Sequence, residues 1–142
     1  MLKKYRTNNY KQTQKLGENF AKEILKLPLG KNAVVLGLKG NLGGGKTTFL
    51  QGFAKGFGVR GKILSPTFVV MKRFENFYHI DCYRLKGEKD MAELGFKEII
   101  SDPKNIVAIE WPEKIKKILP KSTIYVEFKF ADKNIREVSF KM

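Results

Sequence analysis

A glycine-rich segment carries the clearest chemistry in this chain. Residues 40–47 read GNLGGGKT and satisfy the phosphate-binding pattern G-x-x-x-x-G-K-[ST]. Glycines let backbone N–H groups wrap phosphate oxygens, and a helix that begins at Lys46 directs the positive end of its dipole at them. The Lys46 ammonium adds a positive charge, and the Thr47 hydroxyl is a ligand for Mg²⁺. The motif therefore predicts a P-loop for Mg-ATP. Its nucleotide-binding residues are Asn41, Leu42, Gly43, Gly44, Gly45, Lys46, Thr47 and Thr48.

Two acids stand where such a site needs a carboxylate. The hydrophobic runs at residues 77–81 and 106–110 each end in an acid, Asp81 and Glu110. A P-loop site uses a carboxylate at the end of a second strand to hold Mg²⁺ or to orient a water molecule. Asp81 and Lys46 are the candidate catalytic residues. Glu110 is the candidate ligand in the magnesium shell, either directly or through a water molecule. The sequence leaves open which acid positions water and which positions metal.

Weaker signals lie in two loops. Ser65 and Thr67 lie about twenty residues past Lys46, where many P-loop proteins place a loop that senses the terminal phosphate. A plain turn explains Ser65 and Thr67 equally well. Arg84 follows the Asp81 strand and could contact either a phosphate or a surface acid. These residues are secondary candidates for a switch or for support of the site.

Two further residues flank the candidate acids. His79 lies two residues before Asp81 and shares its face of the strand, although a lone histidine is more often structural. Trp111 follows Glu110, where it could touch the nucleotide or a partner, although packing at the strand end is the commoner role of such a tryptophan. Both are secondary candidates.

Strand and helix patterns flank the glycine segment in the required order. The apolar run at residues 33–38 is typical of a strand covered on both faces. After the loop, Phe49, Leu50 and Phe53 begin an apolar helical stripe that Gly58 is suited to end. Upstream, residues 16–27 repeat apolar side chains at helical spacing. Thr13 is expected to cap that first helix, and Pro28 to stop it.

The remaining patterns predict a mixed sheet. Further strands are expected at residues 67–74, 77–83 and 106–110, with a helix opening at Asp90 and a short one at 113–119. Alternating residues at 124–130, a turn at 131–134 and a last strand at 136–142 form a terminal antiparallel hairpin. The predicted fold is α/β, a three-layer P-loop NTPase sandwich whose sheet is mixed and mostly central. It forms a single domain over residues 1–142.

Length and composition indicate the number of domains and the cell compartment. A length of 142 residues with 42% hydrophobic content provides one core. The start of the chain is polar, and no run approaches membrane-spanning length, so neither a secretory signal nor a membrane partner is expected. The only cysteine, Cys82, has no partner thiol, which fits a reducing compartment and predicts the cytoplasm.

The charge points only weakly to a partner. A net charge of +14 favours an anionic partner such as nucleic acid. However, 23 lysines against 5 arginines are scattered along the whole chain, whereas dedicated nucleic-acid sites cluster their charge and favour arginine. A solvated lysine-rich surface explains the charge as well, so direct contact with tRNA stays open.

Together these residues resemble the TsaE family, the small bacterial ATPases required for threonylcarbamoyladenosine modification of tRNA. The resemblance covers most of the chain. It is carried by Thr13 in the first helix, GNLGGGKTTF at residues 40–49, SPTF at 65–68, HIDCYRL at 79–85 and EWP at 110–112. The order and spacing of these segments are far more specific than a P-loop alone. Asn41, where the family often has Asp, and Gly44, where Ala is frequent, are the departures, and neither removes a side chain that the phosphate cradle needs.

The resemblance implies a P-loop α/β sandwich that binds ATP and Mg²⁺. It implies weak hydrolysis until the protein joins a complex with TsaB and TsaD, the second of which carries the threonylcarbamoyl transfer. By position, Lys46 would hold phosphates, Thr47 and Glu110 would be magnesium-shell residues, and Asp81 would be the acid needed for hydrolysis.

Other P-loop classes fit less well. A small-molecule kinase needs a substrate lid, for which 142 residues leave little room. The base-reading segment of GTPases, Asn-Lys-x-Asp, and the Leu-Ser-Gly-Gly signature of ABC ATPases are both absent from the sequence. A nucleotide-gated binding module, in which turnover is incidental, stays open as the alternative.

Overall fold

The apolar runs form the centre of one seven-stranded sheet. A computed structural model describes residues 2–40, 45–60 and 70–142. Its strands are Leu2–Thr7 (β1), Val34–Lys39 (β2), Met71–Phe74 (β3), Phe77–Asp81 (β4), Ile106–Glu110 (β5), Ile124–Asp132 (β6) and Ile135–Lys141 (β7). They lie in the order β1-β7-β6-β2-β5-β4-β3. The inner strands β6, β2, β5 and β4 are parallel to one another, whereas β1, β3 and β7 run antiparallel to their neighbours. The predicted mixed sheet with a terminal hairpin is confirmed.

Helices cover both faces of this sheet. Tyr10–Leu25 (α1) and Lys46–Gly56 (α2) pack on one face, and Glu88–Glu93 (α3), Phe96–Ser101 (α4) and a 3-10 helix at Pro112–Ile118 pack on the other. The side chains of strand β2 are buried on both faces of the sheet. Leu36 and Leu38 pack in the core cluster with α1 and α2, and Val35 packs in the cluster on the opposite face. A continuous apolar run is what a strand needs when both of its faces are buried. The result is a mixed α/β fold.

Close contact with α1 fixes the position of α2. A Cβ atom added at Gly52 would lie 1.8 Å from the Gln14 carbonyl oxygen, and one at Gly17 would lie 2.2 Å from the Phe49 carbonyl oxygen. Any side chain at Gly17 or Gly52 would therefore push the two helices apart. Both helices then bury aromatic rings between them and the sheet, including Phe20, which stacks 6.0 Å from Phe53. The start of α2, with Lys46, is thereby held beside the start of α1.

The beginning of the chain differs from the prediction. The prediction that Thr13 caps the first helix is wrong, because the helix begins at Tyr10 and the Asn9 side chain accepts a hydrogen bond from Gln12 N at 2.9 Å. Thr13 is instead buried, and its hydroxyl lies 2.6 Å from that of Thr7. Strand β1 was not predicted, since it is charged and, of the described strands, pairs with β7 alone at the edge of the sheet. Edge strands lack the apolar pattern that marks central ones.

Boundaries elsewhere shift for local reasons. The helix expected at Asp90 opens at Glu88, and the Asp90 carboxylate accepts a hydrogen bond from Lys86 N within the first turn. Gly95, at φ 79°, separates α3 from the unpredicted α4. Strand β4 ends at Asp81, two residues earlier than expected. Residues 67–69 of the expected third strand lie outside the described ranges. Within the described ranges, no helix is both long and apolar enough to cross a membrane.

Candidate functional site

The sheet register brings the two candidate acids together. Glu110 stands opposite Leu38 of β2 on one side and opposite Asp81 of β4 on the other. Because β2, β5 and β4 are parallel, their carboxyl ends share one edge of the sheet, and β2 leads from that edge through Gly40 toward α2. Both acids therefore lie at the edge where the glycine-rich segment begins, as the sequence predicts.

Lys46 is a buried cation at that edge. Its residue is 5% exposed, and its Nζ has no hydrogen-bond partner among the described residues. The Nζ atom lies 4.3 Å from the centre of the Trp111 ring. Burial lowers the pKa of the Lys46 ammonium, while the charges of Glu110 and Asp81 act in the opposite direction. A buried ammonium without an acceptor is costly, so the arrangement favours an anion at this position.

The start of α2 adds backbone donors beside Lys46. Phe49 N donates to the Gly45 carbonyl at 2.9 Å, so the amides of Lys46, Thr47 and Thr48 precede the first hydrogen bond described for the helix. First-turn amides have no acceptor within their own helix. Gly45 itself adopts φ 101°, a conformation that other residues rarely reach without strain. Amide donors and a lysine thus converge at the entrance of α2.

Glu110 is held by His79. His79 Nε2 lies 2.8 Å from Glu110 Oε2, and the two side chains are 1% and 5% exposed. An ionised carboxylate only accepts, so Nε2–H is the donor. His79 Nδ1 has no partner in the described part of the chain. The histidine shares the α2 side of β4 with Asp81, as predicted, and its role is to fix the rotamer of Glu110.

Replacing His79 by leucine should destabilise the fold by about 3 kcal/mol, because it leaves the Glu110 carboxylate buried without its donor. Urea denaturation of His79→Leu against the unaltered chain measures this loss. The double variant His79→Leu/Glu110→Leu is the control, and it should recover much of the lost stability since neither polar group remains. A single variant as stable as the parent would show that the pair contributes nothing to the fold.

Asp81 differs from Glu110 in its surroundings. It is half-buried, and its Oδ1 accepts a hydrogen bond from Tyr83 N at 2.9 Å. Burial raises the pKa of the Asp81 carboxyl, and the nearby charge of Glu110 raises it further. The hydrogen bond from Tyr83 N lowers this pKa, as do the charges of His79 and Lys46. A carboxylate with a raised pKa is a better proton acceptor than an ordinary surface aspartate. Asp81 is therefore suited to take a proton from a water molecule.

A cavity of about 400 Å³ opens beside Lys46 and Glu110, whereas Asp81, His79 and Trp111 are not among its described lining residues. The lining residues come from the two ends of the described chain, from the start of α2 and from the end of β5. They are Asn9, Tyr10, Thr13, Gly45, Lys46, Thr47, Thr48, Glu110, Asn134 and Arg136. Gly45, Lys46, Thr47, Thr48 and Glu110 were predicted as site residues.

The other lining residues belong to the start of α1 and to the hairpin of β6 and β7, whose positions beside the cavity depend on the fold. Strand β6 runs parallel to β2, so its far end and the turn at Asn134 reach the same edge as Glu110. Arg136 follows on β7, and its guanidinium carbon lies 3.8 Å from the centre of the Phe130 ring. No motif marks Asn134 or Arg136 in the sequence. Thr13 could be identified from the sequence, because it is one of the residues by which the chain resembles a known family.

The remaining predicted residues lie in different places. Trp111 adopts the left-handed conformation at φ 59°, and its ring contacts both Lys46 Nζ and the Tyr83 ring, the latter at 5.2 Å between centres. Arg84 is exposed in the turn after β4 and is not among the described residues that line the cavity. Six other predicted residues lie outside the described ranges, namely Asn41, Leu42, Gly43, Gly44, Ser65 and Thr67. Over the described residues, no three His, Cys, Asp or Glu side chains gather into a metal site.

The sequence and the fold are similar to those of known proteins. The family model described as "Threonylcarbamoyl adenosine biosynthesis protein TsaE" matches residues 7–138. The chain is 38% identical over 139 residues to a tRNA threonylcarbamoyladenosine biosynthesis protein TsaE of Rickettsia typhi, spanning 94% of this chain and 91% of the relative. It is 33% identical to the Bacillus subtilis protein of the same name, spanning 96% and 84%. The crystal structure of Bacillus subtilis YdiB superposes with a TM-score of 0.76 at 30% identity, covering 99% of this chain and 84% of that one.

Proposed function

Since the chain belongs to the TsaE family, whose model it matches over residues 7–138, we propose that it binds and hydrolyses ATP with Mg²⁺. It does so as a subunit of the bacterial machinery that makes threonylcarbamoyladenosine in tRNA. The observation that carries the ATP assignment is the buried Lys46 Nζ, which lacks a hydrogen-bond partner among the described residues at the start of α2. An ATP phosphate supplies the acceptors that this ammonium needs.

Phosphate binding follows from two neighbouring groups of donors. The Lys46 ammonium contributes a full positive charge, and the first-turn amides of α2 contribute the positive end of the helix dipole. Lys46 is buried, which strengthens its contribution. Lys46 leaves the Trp111 ring and turns to the phosphates when nucleotide binds, since a phosphate oxygen accepts hydrogen bonds and an indole face does not.

Thr47 and Glu110 would hold Mg²⁺. Both line the cavity beside Lys46 and both offer oxygen, the ligand type that Mg²⁺ prefers. Mg²⁺ at nucleotide sites is bound through one or two side chains together with the phosphates, so a cluster of three acids is not required. When bound, the ion neutralises phosphate charge during transfer. His79 keeps Glu110 in place for this role through their 2.8 Å hydrogen bond.

Asp81 activates the water that attacks the terminal phosphate. Its raised pKa favours proton acceptance, and its hydrogen bond from Tyr83 N fixes the carboxylate plane. The nucleoside end of ATP would lie at the other side of the cavity, between Asn9 and Tyr10 at the start of α1 and the Asn134 turn. Tyr10 presents an exposed aromatic ring there for stacking on a base.

Glu110→Gln should raise the Mg²⁺ concentration needed for half-maximal hydrolysis by roughly tenfold or more, since the amide is a weaker ligand for the ion. The amide oxygen still accepts from His79, so the fold should be preserved. Titration of Mg²⁺ at fixed ATP measures the effect. Glu93→Gln, at an exposed position of α3, is the matched control. An unchanged magnesium titration would remove Glu110 from the metal shell.

The assembly in this proposal consists of the chain with TsaB and TsaD. Binding of Mg-ATP favours one arrangement of the complex, and hydrolysis releases it. Direct contact with tRNA is compatible with the charge of +14 but is not needed for this role. Cys82 is buried, and its burial raises the pKa of the thiol to about 12, so it is an inert core residue that suits the cytoplasm.

Reconstituted modification tests this function. Purified TsaB and TsaD, tRNA, ATP and a threonylcarbamoyl donor are incubated with the unaltered chain, and modified nucleoside is measured by mass spectrometry. We expect repeated rounds of modification only when the chain is present. Equal yield without the chain would contradict the proposed role, even if the chain hydrolyses ATP.

A further inference from the structure

A second concave surface lies at the opposite end of the sheet from the candidate site. It has a volume of about 670 Å³ and runs between the end of α1 and the amino ends of β2, β5 and β6. We call it the leucine groove after Leu25, Leu27 and Leu29, which line one side. Phe57 and Ile106 are among the apolar side chains that line the rest. The groove is thus mainly apolar.

The three leucines are unusually exposed. Leu25, Leu27 and Leu29 are 61%, 65% and 67% exposed, and they follow one another through the end of α1 and the connection to β2. Single exposed apolar residues are common on protein surfaces, but a contiguous set beside an apolar concavity marks an interaction site. Small-molecule sites enclose most of their ligand, whereas these side chains stand open to water. The geometry therefore fits a protein segment.

Charge identifies the chemistry of that segment. Lys31 and Lys104 line the groove, and no acidic side chain lines it in the described part of the chain. Three acids flank lining residues along the chain, and Glu75, beside Asn76, is exposed. Glu23 lies 3.5 Å from Lys26 Nζ, and the Asp102 carboxylate accepts a hydrogen bond from Lys104 N. An apolar floor with lysines on its walls is complementary to an amphipathic segment that carries carboxylates.

Position separates the groove from nucleotide binding. The candidate site lies at the carboxyl ends of β2, β5 and β4, whereas the groove lies at their amino ends. Five-residue strands place the two edges on the order of 16 Å apart. A partner seated in the groove therefore leaves the nucleotide cavity open.

We propose that the leucine groove docks an acidic amphipathic segment of the TsaB–TsaD pair, and this inference rests on the proposed function. The apolar side chains of the segment enter between the leucines and Ile106, and its carboxylates face Lys31 and Lys104. None of the residues that line the groove lines the nucleotide cavity, so the contact does not compete with nucleotide binding.

Equilibrium binding of the purified chain to purified TsaB and TsaD tests the proposal, measured with Mg-ATP at low and at moderate salt. Leu27→Asp should weaken binding at least about tenfold, since it places a carboxylate among the apolar side chains that line the groove. The double charge reversal Lys31→Glu/Lys104→Glu should weaken binding by a similar factor and reduce its dependence on salt. The affinity of each variant for ATP should stay that of the unaltered chain.

Matched controls lie on another face. Leu94→Asp changes an exposed leucine at the end of α3, and Lys89→Glu/Lys97→Glu reverses two exposed charges on α3 and α4. The controls should bind as the unaltered chain does, and all variants should keep its melting temperature. Groove variants that bind as tightly as the controls would overturn the groove while leaving the proposed function intact. No binding by the unaltered chain would overturn both.

Discussion

Lys46→Met is expected to weaken ATP binding by about a hundredfold or more while leaving the nucleotide-free chain folded and no less stable. The two effects share one cause. In the chain without nucleotide, the ammonium is buried and lacks a hydrogen-bond acceptor among the described residues, so its removal relieves a desolvation cost. With nucleotide bound, the same ammonium makes charge-assisted hydrogen bonds, each of which stabilises binding by about 1.5–3 kcal/mol.

Calorimetry of ATP binding and urea denaturation of the nucleotide-free chain measure the two effects separately. Lys55→Met is the matched control, because Lys55 lies on the exposed side of the same helix. It should change neither affinity nor stability appreciably. If Lys46→Met bound ATP as the parent does, the phosphate assignment would be refuted. A variant that bound ATP poorly because it had unfolded would refute the account of the nucleotide-free state.

Asp81→Asn should lower the hydrolysis rate by roughly a hundredfold and leave ATP affinity almost unchanged. The amide keeps the size of the side chain and still accepts from Tyr83 N, so the turn after β4 should persist. What it loses is the ability to accept a proton from water. Single-turnover hydrolysis with saturating Mg-ATP measures the rate, and calorimetry measures the affinity.

Asp90→Asn is the control for this change, since the Asp90 carboxylate also accepts one backbone hydrogen bond, from Lys86 N, but lies on α3 and is not among the described residues that line the cavity. It should hydrolyse ATP at the parental rate. The same Asp81 variant separates the two candidate functions. If tRNA modification survives the loss of hydrolysis, the chain is a nucleotide-gated binding module, and turnover is incidental.

The sequence could predict the central part of this molecule because its signals there are strong and local. A buried strand must be apolar on both faces, and the run before Gly40 has that character. An acid at the end of such a run must lie at the carboxyl edge of a parallel sheet. Asp81 and Glu110 therefore meet at one edge in the structure as the sequence implied.

The rest depended on contacts between distant parts of the chain. Strand β1 is charged and exposed, so only its pairing with β7 makes it a strand. Asn134 and Arg136 reach the cavity because β6 lies parallel to β2, a fact that no local pattern encodes. The hydrogen bond between His79 and Glu110 likewise joins residues 31 positions apart. Periodicity reports which face of an element is buried, but not which elements become neighbours.

The most direct test of the account is ATP hydrolysis by the purified chain, alone and with purified TsaB and TsaD, with Lys46→Met as the blank. We expect slow hydrolysis by the chain alone, marked stimulation by the two partners together, and neither activity in the blank. Equal rates with and without the partners would contradict the proposed role and would indicate an independent P-loop enzyme with its own phosphoryl acceptor.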